Sequence, residues 1–167
     1  MSGLDSISMR NLDEQALTTL ARRLAAAVTR GGVMHLRGEL GAGKTTFARA
    51  LIGAFGVGAR IKSPTYSLIE SYALPNLSVH HLDLYRIADP GELEWLGLDE
   101  LAVEPSLIVV EWPEHAGRAL PAPDLIVHLA HAGGARDVVL EPAGARGTLW
   151  LQSARILDPV QAGKASR

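Results

Sequence analysis

Gly38-Glu39-Leu40-Gly41-Ala42-Gly43-Lys44-Thr45 is the stretch on which the fold turns. It fills the pattern G-x-x-x-x-G-K-T, and its flanks supply the context that the pattern needs. Val33-Met34-His35-Leu36-Arg37 before it reads as a short strand. Residues 44–55 after it read as a helix with Phe47, Leu51 and Phe55 on one face. Strand, glycine turn and helix in that order make a phosphate-binding loop. Glycines let the main chain wrap closely around an anion, so that successive N–H groups point inward. The helix that follows adds the positive end of its dipole. The predicted nucleotide contacts of the loop are therefore Gly38, Gly41, Ala42, Gly43, Lys44, Thr45 and Thr46. Lys44 would reach the β- and γ-phosphates, and the Thr45 hydroxyl would ligand magnesium. ATP and Mg2+ are the expected cofactors, because no N/T-K-x-D guanine signature occurs.

Upstream, residues 11–30 read as an amphipathic helix, with Leu17, Leu20, Ala21, Leu24 and Val28 at three- and four-residue steps. Asn11 or Asp13 would cap it and Gly31-Gly32 would stop it. Downstream, residues 65–72 alternate like a strand, and residues 77–82 form another that ends at Asp83. Residues 90–96 look like a short helix with Pro90 in its first position. Leu107-Ile108-Val109-Val110 is an apolar run suited to a central strand buried on both faces, and it leads into Glu111-Trp112-Pro113. Residues 124–131 and 137–140 are two further strands around Gly133-Gly134, and residues 148–156 form a last short element. The expected class is α/β, a single P-loop NTPase domain with a central, mainly parallel sheet flanked by helices. The domain is expected to span residues 1–145, with a partly flexible extension over 146–167 and a frayed tail over 161–167.

Composition narrows the chemistry. The 167 residues fit one domain, and 47% hydrophobic against 20% charged residues is enough for a real core. The absence of cysteine excludes a disulfide scaffold, a Cys-ligated zinc site and a thiol nucleophile. Lys and Arg number 16 against 18 Asp and Glu, a net charge of -2 without a dense basic cluster. Charge alone therefore gives no reason to expect direct nucleic-acid binding. No stretch reads as a signal peptide or a membrane span, so a reduced, cytoplasmic setting is expected.

In an α/β sheet, sites gather at the carboxyl ends of strands, and the glycine loop, Asp83 and Glu111 all fall there. Glu111 ends the more apolar strand and should lie deeper beside the loop, so it is assigned to magnesium. Asp83 would bind the metal through water or orient the attacking water. With Lys44, these two carboxylates make the predicted catalytic set. His80 and His81 point to opposite faces of a strand and cannot chelate one ion, so each fits a core or hydrogen-bonded role. Trp112 reads as a packing aromatic, with a lid over the nucleotide as the other reading. Ser63-Pro64-Thr65-Tyr66 is open between a plain turn and a loop in which Thr65 senses the γ-phosphate.

Taken together, G-E-L-G-A-G-K-T-T at 38–46, S-P-T-Y at 63–66, H-x-D-x-Y-R at 81–86 and E-W-P at 111–113 resemble the TsaE (YjeE) family. These are the P-loop ATPases of bacterial tRNA threonylcarbamoyladenosine biosynthesis. The resemblance covers residues 6–141, and it is the combination of motifs that makes it specific. It implies TsaD and TsaB as protein partners and tRNA as the ultimate substrate, reached through the complex. The threonylcarbamoyl group goes to the adenosine next to the anticodon, and ATP hydrolysis drives or resets the complex without effecting the transfer. It further implies that Thr45 and Glu111 ligand magnesium, that Asp83 serves hydrolysis, and that Trp112 and Thr65 lie near the nucleotide. Glu14, before the first helix, and Arg136, in the turn after Gly134, are the other nucleotide contacts it implies. Residues 154–167 match none of the motifs.

Two other classes share the loop. A small-molecule kinase would need an acceptor pocket and an arginine-rich lid, and residues 86–98 are too acidic and apolar for one. A nucleotide-gated binding module without meaningful hydrolysis would use the Ser63-Pro64-Thr65-Tyr66 loop equally well.

Overall fold

The computed structural model describes residues 5–58, 61–103 and 105–156. The tail expected over 161–167, and the extension beyond residue 156, lie outside the described residues. The elements run β1 (Ile7–Leu12), α1 (Glu14–Ala27), β2 (Gly31–Arg37), α2 (Lys44–Gly53), β3 (Ile69–Ala73) and β4 (Ser78–Asp83). They continue with a 3₁₀ helix (Pro90–Leu96), α3 (Leu98–Leu101), β5 (Ser106–Glu111), a second 3₁₀ helix (Pro113–Ala116), β6 (Leu125–Ala132), β7 (Ala135–Pro142) and α4 (Ala145–Ser153).

Seven strands form one sheet in the order β1-β7-β6-β2-β5-β4-β3. The inner four, β6-β2-β5-β4, are parallel, while β1–β7, β7–β6 and β4–β3 pair antiparallel. The sheet is thus mixed, not mainly parallel as expected. The hairpins β6–β7 and β3–β4, with β1 added beside β7, make the flanks antiparallel around the parallel centre. β2 and β5 occupy the middle, where both of their faces are covered. Every residue of β5 is buried, and Leu107, Ile108, Val109 and Val110 each contribute about 1.5–3 kcal/mol by leaving water.

Alternation along the strands divides the core into two layers. On one face Met34, Leu36, Leu107 and Val109 pack with Leu17, Leu24, Phe47 and Leu51 of α1 and α2, and with Trp150 and Leu151 of α4. On the other, Val33, Leu82, Ile108 and Val110 pack with Leu93 and Ala116 of the 3₁₀ helices and Leu98 of α3.

Several expected boundaries move, each for a local reason. The helix expected over residues 11–30 begins only at Glu14, because the Asp13 side chain accepts from the Ala16 N–H at 2.7 Å and caps it. Residues before it form β1, an edge strand against β7, with Asn11 at φ 58°. The strand expected over 65–72 starts at Ile69. Residues before it turn, with Leu68 at φ 66° and its N–H donated to Pro64 O at 2.8 Å. The segment at Pro90 is 3₁₀ in character and carries a capping box between Asp89 and Glu92. The last short element is a helix that starts at Ala145, earlier than expected.

Candidate functional site

The residues that matter converge at the carboxyl end of β2, β5 and β4. Gly43 is the N-cap of α2 with φ 103°, a conformation that L side chains rarely adopt. A Cβ there would also press on Leu17 Cδ2 at 3.3 Å. With no side chain to cap the helix, the first N–H groups of α2 have no intrahelical partner and face the loop's concavity. That leaves a main-chain cradle with the positive end of a helix behind it.

Lys44 is buried at 4% exposure, and its Nζ donates to Gly38 O and Glu39 O, folding the ammonium back over its own loop. Trp112 lies across it, with Nζ 4.0 Å from the ring centroid. Trp112 is held in the left-handed region at φ 58° and stacks between Tyr85 at 5.1 Å and His115 at 5.4 Å. Burial pushes the Lys44 pKa down, while Glu111, Glu114 and Asp83 pull it back up.

The carboxylates sit side by side, because Asp83 and Glu111 are register partners at the ends of β4 and β5. Glu111 is 2% exposed. Its Oε1 accepts from Thr45 Oγ1 at 2.7 Å, and its Oε2 lies 2.7 Å from His81 Nε2. Asp83 Oδ1 accepts from the Tyr85 N–H at 3.1 Å, and Oδ2 lies 3.4 Å from Thr65 Oγ1. Burial raises the Asp83 pKa, and Glu111 adds to the rise. The Tyr85 N–H, His81 and Thr65 oppose it.

A cleft of about 330 Å³ opens over these groups. Gly41, Gly43, Lys44, Thr45, Thr46, Thr65, Asp83, Glu111, Trp112 and Arg136, all singled out from sequence, line it. Glu14 is apart from it, on a smaller adjoining pocket of about 90 Å³ that shares Gly43, Thr46 and Arg136. Gly38 contributes a carbonyl to Lys44, and Ala42 is buried with its N–H on Glu39 O at 3.0 Å. Arg136 donates to Gly41 O at 3.0 Å, bracing the loop from β7. Arg86 stacks on Tyr66 at 4.4 Å and does not line the cleft.

Sequence reasoning missed Leu40 and Tyr85 as lining residues, and the bond from His81 to Glu111. Tyr85 stands inside the H-x-D-x-Y-R motif, which was signal enough. The histidine contact needed the strand register. Among the described residues, no three of His, Cys, Asp and Glu come together as a metal cage. A divalent cation here would draw on Thr45, Glu111 and oxygens of a ligand, the pattern that suits magnesium.

A family model described as threonylcarbamoyl adenosine biosynthesis protein TsaE matches residues 12–138. The tRNA threonylcarbamoyladenosine biosynthesis protein TsaE of Haemophilus influenzae is 34% identical over 142 residues, covering 82% of this chain and 90% of that one. Its namesake in Bacillus subtilis is 32% identical over 144 residues, covering 86% and 90%. The one in Rickettsia bellii is 37% identical over 130 residues, covering 77% and 89%. The crystal structure of Bacillus subtilis YdiB matches with a TM-score of 0.74 at 26% identity, covering 93% of this chain and 97% of that one.

Proposed function

The chain belongs to the TsaE family of threonylcarbamoyl adenosine biosynthesis proteins, and from that premise we propose that it is a magnesium-dependent P-loop ATPase serving tRNA threonylcarbamoyladenosine formation. The observation that carries the ATPase reading is the alignment of three features at one cleft: an uncapped α2 N-terminus, a buried lysine and the Thr45–Glu111 pair.

These residues fit a triphosphate with its cation. The cradle at Gly41, Gly43 and Lys44 offers N–H groups and a positive charge, which match phosphate oxygens. Thr45 and Glu111 present two hard oxygens to one point, which suits magnesium. Magnesium, when bound, supplies neutralisation of charge on the phosphate oxygens. Lys44 would exchange its two carbonyl acceptors for the phosphates, a stronger charge-assisted pair. Asp83, beside Glu111 at the end of β4 and lining the cleft, would orient water there with Oδ2. Thr65 would steady that oxygen, and Trp112 with Tyr85 would exclude bulk water.

TsaD and TsaB are the proposed protein partners, with tRNA reached only through them. The balance of 16 basic against 18 acidic residues supports protein contact over direct RNA contact. A cytoplasmic setting goes with that role. Among the described residues, no helix is long and apolar enough to cross a membrane. Steady-state phosphate release, measured alone and with TsaB and TsaD, tests the whole reading. Slow turnover that rises when the pair is added is expected, and turnover unmoved by them contradicts it. A nucleotide-gated switch draws support from the Ser63–Thr65–Asp83 contacts at 2.7 and 3.4 Å. Absence of turnover in the assembled complex would favour that alternative.

A further inference from the structure

We propose that His81 is a positioning residue, fixing the orientation in which Glu111 meets magnesium. The inference rests on the reading above that Thr45 and Glu111 hold the cation.

His81 is fully buried at 0% exposure, and it does not line the cleft, so it touches neither nucleotide nor water there. In the sheet it pairs with Val109, one pleat before the Asp83–Glu111 pair and on the same face. From that position its Nε2 reaches Glu111 Oε2 diagonally at 2.7 Å. Nδ1 has no hydrogen-bond partner, so the bond to Glu111 is the ring's one hydrogen bond among the described residues. Glu111 in turn makes two side-chain hydrogen bonds among the described residues, one to each oxygen. One is to Thr45, whose oxygen is itself wanted by the cation. The other, to His81, is out of reach of any ligand.

A glutamate has three side-chain torsions to fix, and ordering them at the moment of binding costs entropy. A buried donor that holds the carboxylate beforehand removes that cost from the binding step. Donors behind a metal ligand act in this way, and losing one weakens metal affinity about 10- to 100-fold. The other role open to a buried histidine is to support strand packing, which would affect metal-free and metal-loaded states alike.

Calorimetric titration of the full chain with ATP, in EDTA and in excess magnesium, separates the two. The quantity read is the factor by which magnesium strengthens ATP binding. In H81L and H81N that factor should fall about ten-fold or more, with affinity in EDTA within about two-fold of wild type. H81Q places an amide nitrogen near the position of Nε2 and should restore it, whereas the shorter H81N side chain cannot reach. If H81L fails to fold by far-UV circular dichroism, H81N against H81Q decides. A magnesium factor unchanged in H81N, or lost in step with the affinity in EDTA, overturns the inference. A wild-type protein whose ATP binding is indifferent to magnesium overturns the metal reading itself.

Discussion

At the residue scale, the site depends on conformations that ordinary side chains resist. Gly43 holds φ 103° with Leu17 and Arg136 packed against it, so Gly43→Ala strains the loop and crowds its neighbours together. The expected cost is about 1–3 kcal/mol in urea unfolding, with ATP affinity falling by more than the stability loss explains. Wild-type affinity in that variant would contradict the cradle. Gly31 has a different role. At φ 83° a Cβ there would lie 2.0 Å from Ser106 O, inside the pairing of β2 with β5. Gly31→Ala should therefore lower the urea midpoint severely, whether or not ligand is present. The glycine loop was legible in sequence because each residue type answers a backbone need of its own. The contact of Lys44 with Trp112 was not, since it depends on a left-handed residue after β5 that no local signal marks.

At the element scale, α4 belongs to the core as much as α1 does. Trp150 is 4% exposed and Leu151 fully buried. Asp124 ties the region together: its Oδ2 accepts from the Val33 N–H at 2.8 Å, and its carbonyl accepts from the Ala143 N–H at 2.9 Å. Trp150→Ala should lose about 3–5 kcal/mol in urea unfolding while leaving Lys44, Thr45 and Glu111 in place. A loss under about 1 kcal/mol would show that α4 packs more loosely than its burial implies. The central strands and both long helices could be read from periodicity, because Leu107-Ile108-Val109-Val110 is an unbroken apolar run in β5 and α1 repeats at helical steps. The edge strand β1 escaped because its alternation is short and half exposed, and its partner β7 is more than a hundred residues away. The mixed character of the sheet is likewise a matter of pairing between distant segments, which no window of sequence contains.

At the scale of the whole molecule, stability should depend on pH through a histidine that does not line the cleft. His35, 6% exposed in β2, has its pKa lowered from 6.5 to about 4, first by burial and then by Arg37. The Pro121 carbonyl opposes this weakly, without hydrogen-bond geometry. Because the folded value lies below the unfolded one, the unfolded chain takes up the proton more readily. The contribution is complete above about pH 6.5 and drains away as pH falls toward about 4. Unfolding free energy should drop by roughly 3 kcal/mol at most across that window, and His35→Leu should flatten the drop. An equal slope in that variant would assign the dependence to other groups.

The central claim is that residues 38–45 grip a triphosphate through main-chain amides and the Lys44 ammonium. Calorimetric titration of magnesium-ATP into the wild-type chain and into Lys44→Ala tests it most directly. The expected result is saturable binding by the wild type and a loss of roughly 100-fold or more in the variant, with an unchanged far-UV spectrum. A Lys44→Ala protein that binds magnesium-ATP as tightly as the wild type would contradict it.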